Sequence, residues 1–221
     1  GVAVMTHSDD VGLVLSPFVA PLNIVIITTG ITKKLDENIK KKINYCAENV
    51  HVELSNQGYS CEIDNRDNYS VGYKINYHEI RGVPIRIEIG PQEIENKVIT
   101  LIRRDTLEKQ EISIKNSDEL GSLHIEISVI NSNIHNQLLK RAKTRVKDSI
   151  ITTDNFDDFV SSLENKKAIL LPFCGNSKCE EDIKIKTTKK DIIDKDNKEL
   201  TGGAKSLCIP FKEELKNYEL L

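Results

Sequence analysis

N-I-V-I-I-T, residues 23–28, is an almost continuous apolar run, rich in β-branched side chains and closed by Gly30. A strand buried on both faces has this composition. Just downstream, Ile39, Ile43, Ala47 and Val50 recur every three or four residues, while Lys40, Lys41 and Lys42 largely face outward. That spacing predicts an amphipathic helix from Leu35 to about Val52.

Outward from this pair, the alternation continues. Cys61 to Asp64 predicts a short strand, Gly72 to Ile80 a helix, and V-P-I-R-I-E-I (83–89) a half-buried strand that Gly90-Pro91 breaks. Val98 to Arg103 and Glu111 to Lys115 predict two more strands. Leu120, Leu123, Ile127, Ile130, Ile134, Leu138, Ala142 and Val146 then share one helical stripe, giving a long helix to Lys147. The expectation is an α/β domain: a mixed five-stranded sheet with flanking helices. Upstream, Val11 to Thr28 contains Pro17, Pro21 and Asn23, so it fails as a membrane-spanning helix and predicts two short strands. After Ile151 a second, small α/β unit is expected. Asp154 would cap a helix carrying Phe156, Phe159, Val160 and Leu163, Ala168 to Phe173 would be a strand, residues 186–203 an exposed loop, and Ser206 to Phe211 a last strand.

A chain of 221 residues makes one large domain or two small ones. With 38% hydrophobic and 29% charged residues it has a soluble globular composition. The 31 basic and 34 acidic residues leave a net charge of −3, which excludes a globally basic nucleic-acid binder, so any RNA contact needs a local basic face. Five cysteines, odd in number and unevenly spread, point to a reducing compartment, hence the cytoplasm. No signal peptide, membrane or DNA partner is expected. The start at Gly1 implies either removal of preceding residues or a piece of something longer.

Several groups of residues could carry chemistry. Cys174 and Cys179 form a C-x4-C pair, which can be two corners of a tetrahedral zinc site or simply two reduced thiols; without a complete four-cysteine signature, composition favours the thiols. Residues 66–93 are dense in Arg, Asn, Tyr, Glu and His, types that read or stack on unpaired bases, although such a stretch is more often a solvated surface. The basic residues from Lys140 to Lys147 could meet phosphates or be a solvated helix face matched to the helix dipole. Arg104 is expected to pair with Asp105, and His7, Asp9 and Asp10 to have no partner.

Five strings resemble prolyl-tRNA synthetases of the eukaryotic and archaeal type: M-T-H-S-D-D-V-G-L-V-L-S-P (5–17), R-D-N-Y-S-V-G-Y-K-I-N-Y-H-E-I-R-G-V-P-I-R-I-E-I-G-P (66–91), R-R-D-T (103–106), P-F-C-G-N-S-K-C-E (172–180) and G-A-K-S-L-C-I-P-F (203–211). They fall in the family's order along nearly the whole chain. The resemblance implies three parts: residues 1–21 as the tail of a class II catalytic domain, 22–148 as the anticodon-binding domain, and 149–221 as the family's C-terminal domain. It implies that Glu79 and Arg86 read guanines of the proline anticodon, with Gln92 and Glu93 at two further reading positions. At those two the family usually has a cation followed by Asp, so the cation is missing. ATP and Mg²⁺ are implied for the whole enzyme, tRNA(Pro) as partner, and a homodimer through the catalytic domain. Many members hold zinc; the match makes Cys174 and Cys179 ligands but supplies no second cysteine pair, so the site is incomplete and no zinc is expected. Class II motifs 1 to 3 are not in this sequence, so by itself it is expected to be non-catalytic. The alternative is a free-standing relic of the anticodon domain, acting as a protein-interaction or weak RNA-binding module.

Overall fold

The computed structural model describes residues 1–32, 34–114, 117–188 and 203–211. In chain order the elements are α1 (Val2–His7), β1 (Ile24–Thr28), α2 (Glu37–Asn56), β2 (Cys61–Asp64), α3 (Val71–Ile80), β3 (Ile85–Ile89), α4 (Pro91–Asn96), β4 (Val98–Arg103), β5 (Lys109–Ser113), α5 (Ser117–Ser149), β6 (Ile150–Thr152), α6 (Phe156–Glu164), β7 (Ala168–Leu170) and α7 (Ser177–Thr187). Two compact units result, Gly1–Ala142 and Lys143–Leu221.

The first unit holds the expected mixed sheet, in the order β2-β1-β3-β4-β5. Strands β2, β1 and β3 are parallel, and β4 and β5 turn back antiparallel. Side chains alternate across a strand. Ile24, Ile26, Ile85, Ile87, Ile89, Ile99, Leu101 and Ile112 therefore share one face and pack against Ile43, Val50 and Leu54 of α2 and Leu123, Ile127, Ile134 and Leu138 of α5. On the opposite face Val25, Ile27 and Val83 form a smaller cluster under Val71 and Ile75 of α3. That face continues across the sheet in register as Val25–Arg86–Ile102–Lys109 and Ile27–Glu88–Thr100–Glu111. It is apolar beneath α3 and polar beyond it, and the polar part carries the candidate site.

The α3–β3 turn rests on Gly82, at φ +72°, where an added Cβ would lie 2.8–2.9 Å from Leu13. Gly82→Ala combines a left-handed backbone with an overlap that the Leu13 backbone cannot yield. It is expected to lower the urea unfolding free energy by about 1–3 kcal/mol, with an unchanged denaturant slope.

Several elements differ from the sequence expectations. Gly90-Pro91 ends β3 but also starts α4: proline at the first helical position lacks only an N–H that would have no helical partner. Val11 to Thr28 contains one strand, not two. Around Gly12 the chain is held by the Asp9 side chain, which accepts from the Val11 and Gly12 N–H groups, and by two backbone bonds, from the Asp9 N–H to the Gly12 carbonyl and from the Leu13 N–H to the Ile80 carbonyl. The cap of α6 is Asn155, not Asp154; its side chain accepts from the Asp157 and Asp158 N–H groups. In the second unit β7 stops at Leu170 and pairs in parallel with the unforeseen β6. Residues 206–211 form no strand; Leu207 and Ile209 are exposed. The expected loop of 186–203 falls mostly outside the described residues, and α7 reaches into its start.

Candidate nucleic-acid interface

Helix α3 and strand β3 build the site. Ser70 caps α3, its Oγ accepting from the Tyr73 N–H. The helix ends in a tight turn in which the Gly82 and Val83 N–H groups donate to the carbonyls of Glu79 and His78. This return sets Glu79, in the last turn of α3, against Arg86, the second residue of β3. Arg86 Nη1 donates to Glu79 Oε1 at 2.5 Å and Nε to Glu88 Oε1 at 2.9 Å. Arg86 Nη2 has no hydrogen-bond partner among the described residues. All three side chains are less than one-fifth exposed (12%, 19% and 16%), so the guanidinium is fixed, not sampling solvent. One arginine between two glutamates leaves a net negative charge. That repels phosphate but suits a base edge that offers both donors and acceptors, as guanine does with N1–H and N2 amino against O6 and N7.

Gln92 and Glu93 lie on the first turn of α4, apart from this pair. Glu93 Oε2 accepts from the Gly90 N–H at 2.9 Å, and Oε1 from Thr100 Oγ1 at 3.2 Å. Both oxygens are thus engaged in the helix start. Thr100 is the cross-strand neighbour of Glu88, so Glu93 sits at the rim of the same sheet face. Gln92 is exposed.

Behind the site lies a buried polar hub that the sequence reading missed. Asp64 accepts from Arg66 Nε at 2.8 Å and Nη2 at 2.6 Å, and its Oδ2 is 2.9 Å from His78 Nε2. Lys74 Nζ donates to the Asp64 carbonyl at 3.0 Å. These bonds pin α3 to β2 and so fix where Glu79 falls. The Arg66 guanidinium, then the His78 ring, hold the Asp64 carboxyl well below the usual carboxylate range.

Two expected pairings change. Asp9 is not without a partner: Arg104, almost fully buried, donates to Asp9 Oδ2 at 2.7 Å and Oδ1 at 2.6 Å, and through Nε to the Glu79 carbonyl at 3.0 Å. Arg103, on the opposite side of the strand end, takes Asp105 at 2.8 and 3.0 Å. The Arg104 hydrogen bonds push the Asp9 carboxyl well below its usual range. In the basic run, Arg141 donates to the Asp105 carbonyl at 3.3 Å, while Lys140, Lys143 and Lys147 are exposed. Val146 is also exposed, so the apolar stripe of α5 leaves the core after Leu138.

Cys174 and Cys179 are both exposed, the first in the loop before α7 and the second in its first turn. Hydrogen bonds from the Asn176 N–H and the Cys179 thiol lower the Cys174 thiol, which in turn raises Cys179. A structural zinc site takes four protein donors. Among the described residues no three His, Cys, Asp or Glu side chains come together as such a site requires, and Cys208 is exposed. Among the described residues Cys174 and Cys179 thus supply two donors of the four. The chain is therefore expected to keep its thermal midpoint when a chelator is added and to carry no stoichiometric zinc by elemental analysis. A zinc whose removal unfolds the second unit would contradict this.

Comparison with known proteins finds a match within each unit. Residues 23–120 match the anticodon binding domain, and residues 156–219 the prolyl-tRNA synthetase C-terminal domain. The proline–tRNA ligase of Encephalitozoon cuniculi is 37% identical over 211 residues, covering 96% of this chain and 40% of that protein. The bifunctional glutamate/proline–tRNA ligase of Drosophila melanogaster is 34% identical over 213 residues, covering 96% of this chain and 12% of that one. Among solved structures, the prolyl-tRNA synthetase of Cryptosporidium parvum complexed with L-proline and AMP superposes with a TM-score of 0.77 at 38% identity, covering 94% of this chain and 40% of the other. The sheet and its helices thus define an anticodon-binding domain of an aminoacyl-tRNA synthetase. The chain belongs to the prolyl-tRNA synthetase family, of which it spans the anticodon-binding and C-terminal parts, less than half the length of these relatives.

Proposed function

We propose that this chain holds the anticodon of tRNA(Pro) for a proline–tRNA ligase. The whole enzyme would activate proline with ATP and Mg²⁺ and esterify it to the tRNA terminus, in the cytoplasm and as a homodimer through its catalytic domain. Residues 1–21 would be the tail of that catalytic domain, 22–148 the anticodon-binding domain and 149–221 the C-terminal domain. The observation that carries the reading is Arg86, fixed between Glu79 and Glu88 with Nη2 facing no partner among the described residues. Arg86 would donate to guanine O6 and N7, and the glutamates would accept from the N1–H and N2 amino group of a guanine. Gln92 would contact the loop without the charge that a cation brings. Glu93 would shape the rim through its bonds to Gly90 and Thr100.

The test is a titration of the chain against proline anticodon stem-loops with the two guanines intact or replaced by adenine. Tighter binding of the guanine form supports the reading. Equal binding of both forms rejects it and leaves a protein-interaction role.

A further inference from the structure

The outer side of α3 carries an aromatic and cationic ladder that the guanine-reading cluster does not use. Tyr73 and Tyr77 share one face of α3, and Tyr69, just before the Ser70 cap, and Arg81, the C-cap, extend the four-residue spacing at either end. The Tyr69 and Tyr73 rings stack in parallel, centroids 4.3 Å apart and planes 12° apart, and Tyr77 follows at 6.3 Å. The Arg81 guanidinium lies 3.5 Å from the Tyr77 centroid, and that of Arg66 lies 4.3 Å from the same ring and 5.1 Å from Tyr69. The inward side of α3, with Lys74, Ile75 and His78, supplies the packing. The ladder is outside it: Tyr69 is 40% and Tyr73 47% exposed.

We propose that this ladder is a stacking platform for an unpaired nucleobase of the RNA loop, next to the bases read at Arg86. The proposal rests on the anticodon reading above. An exposed aromatic face beside guanidinium groups takes any base, because every base has a π-face, and the cations meet the adjoining phosphate. Charge favours a nucleic acid as occupant. Arg81 forms no ion pair among the described residues, and Asp64, which does pair with Arg66, is buried beneath the ladder. Arg86 sits between two acids, whereas the ladder offers cations, so the two sides of α3 divide the work: the sheet side reads, the outer side holds.

The experiment uses the same stem-loop, carrying 2-aminopurine beside the two guanines. Wild-type chain is expected to quench the fluorophore. Tyr73→Leu and Tyr69→Leu should each weaken binding roughly tenfold for guanine and adenine loops alike, with the guanine preference kept, since stacking is tolerant of sequence. Tyr73→Phe, which keeps the ring, should bind as wild type; a merely structural tyrosine would not separate leucine from phenylalanine in RNA affinity at equal thermal midpoint. Unchanged affinity of both leucine variants, or no quenching by wild type while Arg86→Ala still removes the guanine preference, overturns the platform and leaves the reading standing. Absence of any guanine preference in wild type overturns the reading and the platform with it.

Discussion

Arg86→Ala is expected to weaken binding of the guanine-containing stem-loop by about 10- to 100-fold and to make guanine and adenine loops equivalent. A bidentate arginine–guanine contact contributes about 1–3 kcal/mol of discrimination. Here the fork is already oriented by Glu79 and Glu88, so little conformational freedom is lost when a base docks. Arg86→Lys keeps the charge but not the planar fork, and should lose discrimination almost as fully. Lys143→Ala, on the exposed end of α5, should instead weaken all loops alike and lower the dependence on salt. Gln92→Arg, which restores a cation at the start of α4, should tighten binding. Titrations at two salt concentrations separate these outcomes; an Arg86→Ala chain that still prefers guanine would sink the assignment.

The second large effect lies behind the site. Asp64→Asn is expected to destabilise the first unit by about 1–3 kcal/mol, the cost of removing the charged hydrogen bonds of a buried carboxylate whose arginine partner stays partly solvated. Arg66 would lose its counter-ion and the buried His78 its carboxylate partner. The sign of the pH dependence follows from the lowered carboxyl of Asp64. Its contribution is fully present above the unfolded value, about 3.9, and is lost as pH falls from there toward the folded value. Urea midpoints between pH 7 and pH 3 should therefore fall steeply at the acid end for wild type and less so for the variant. A variant within about 1 kcal/mol of wild type at pH 7 would show that the hub is not holding α3.

Helices α2 and α5 and strand β3 were legible because each has a period, and β1 because it has none, being apolar on both faces. The β-branched run I-V-I-I at 24–27 is what a doubly covered strand looks like, and V-P-I-R-I-E-I sets Arg86 and Glu88 on one face by simple alternation. Helix α7 has no such period: none of its residues is buried, so hydrophobic spacing had nothing to report. Of the site, Glu79 and Arg86 were named through family resemblance; their contact depends on the turn at Gly82, which no local pattern specifies. The clamp of Asp9 by Arg104 joins residues 95 positions apart, and the Asp64–His78 bond joins β2 to α3. Pairings of that kind belong to the tertiary fold. A nearest-neighbour reading instead gave Arg104 to Asp105, which geometry assigns to Arg103.

The clamp also decides where the chain can be cut. A boundary drawn by homology falls at residue 23, just before the first strand. A fragment starting there would keep every strand of the sheet yet lose Asp9, leaving a buried guanidinium without a counter-ion directly beneath the Glu79 carbonyl. It would also lose Leu13, whose N–H bonds the last turn of α3, and Val14 from the core. In modular terms, a truncated or transplanted anticodon domain from this chain keeps the clamp, the Leu13 bond and the Val14 contact only if it begins at or before Asp9.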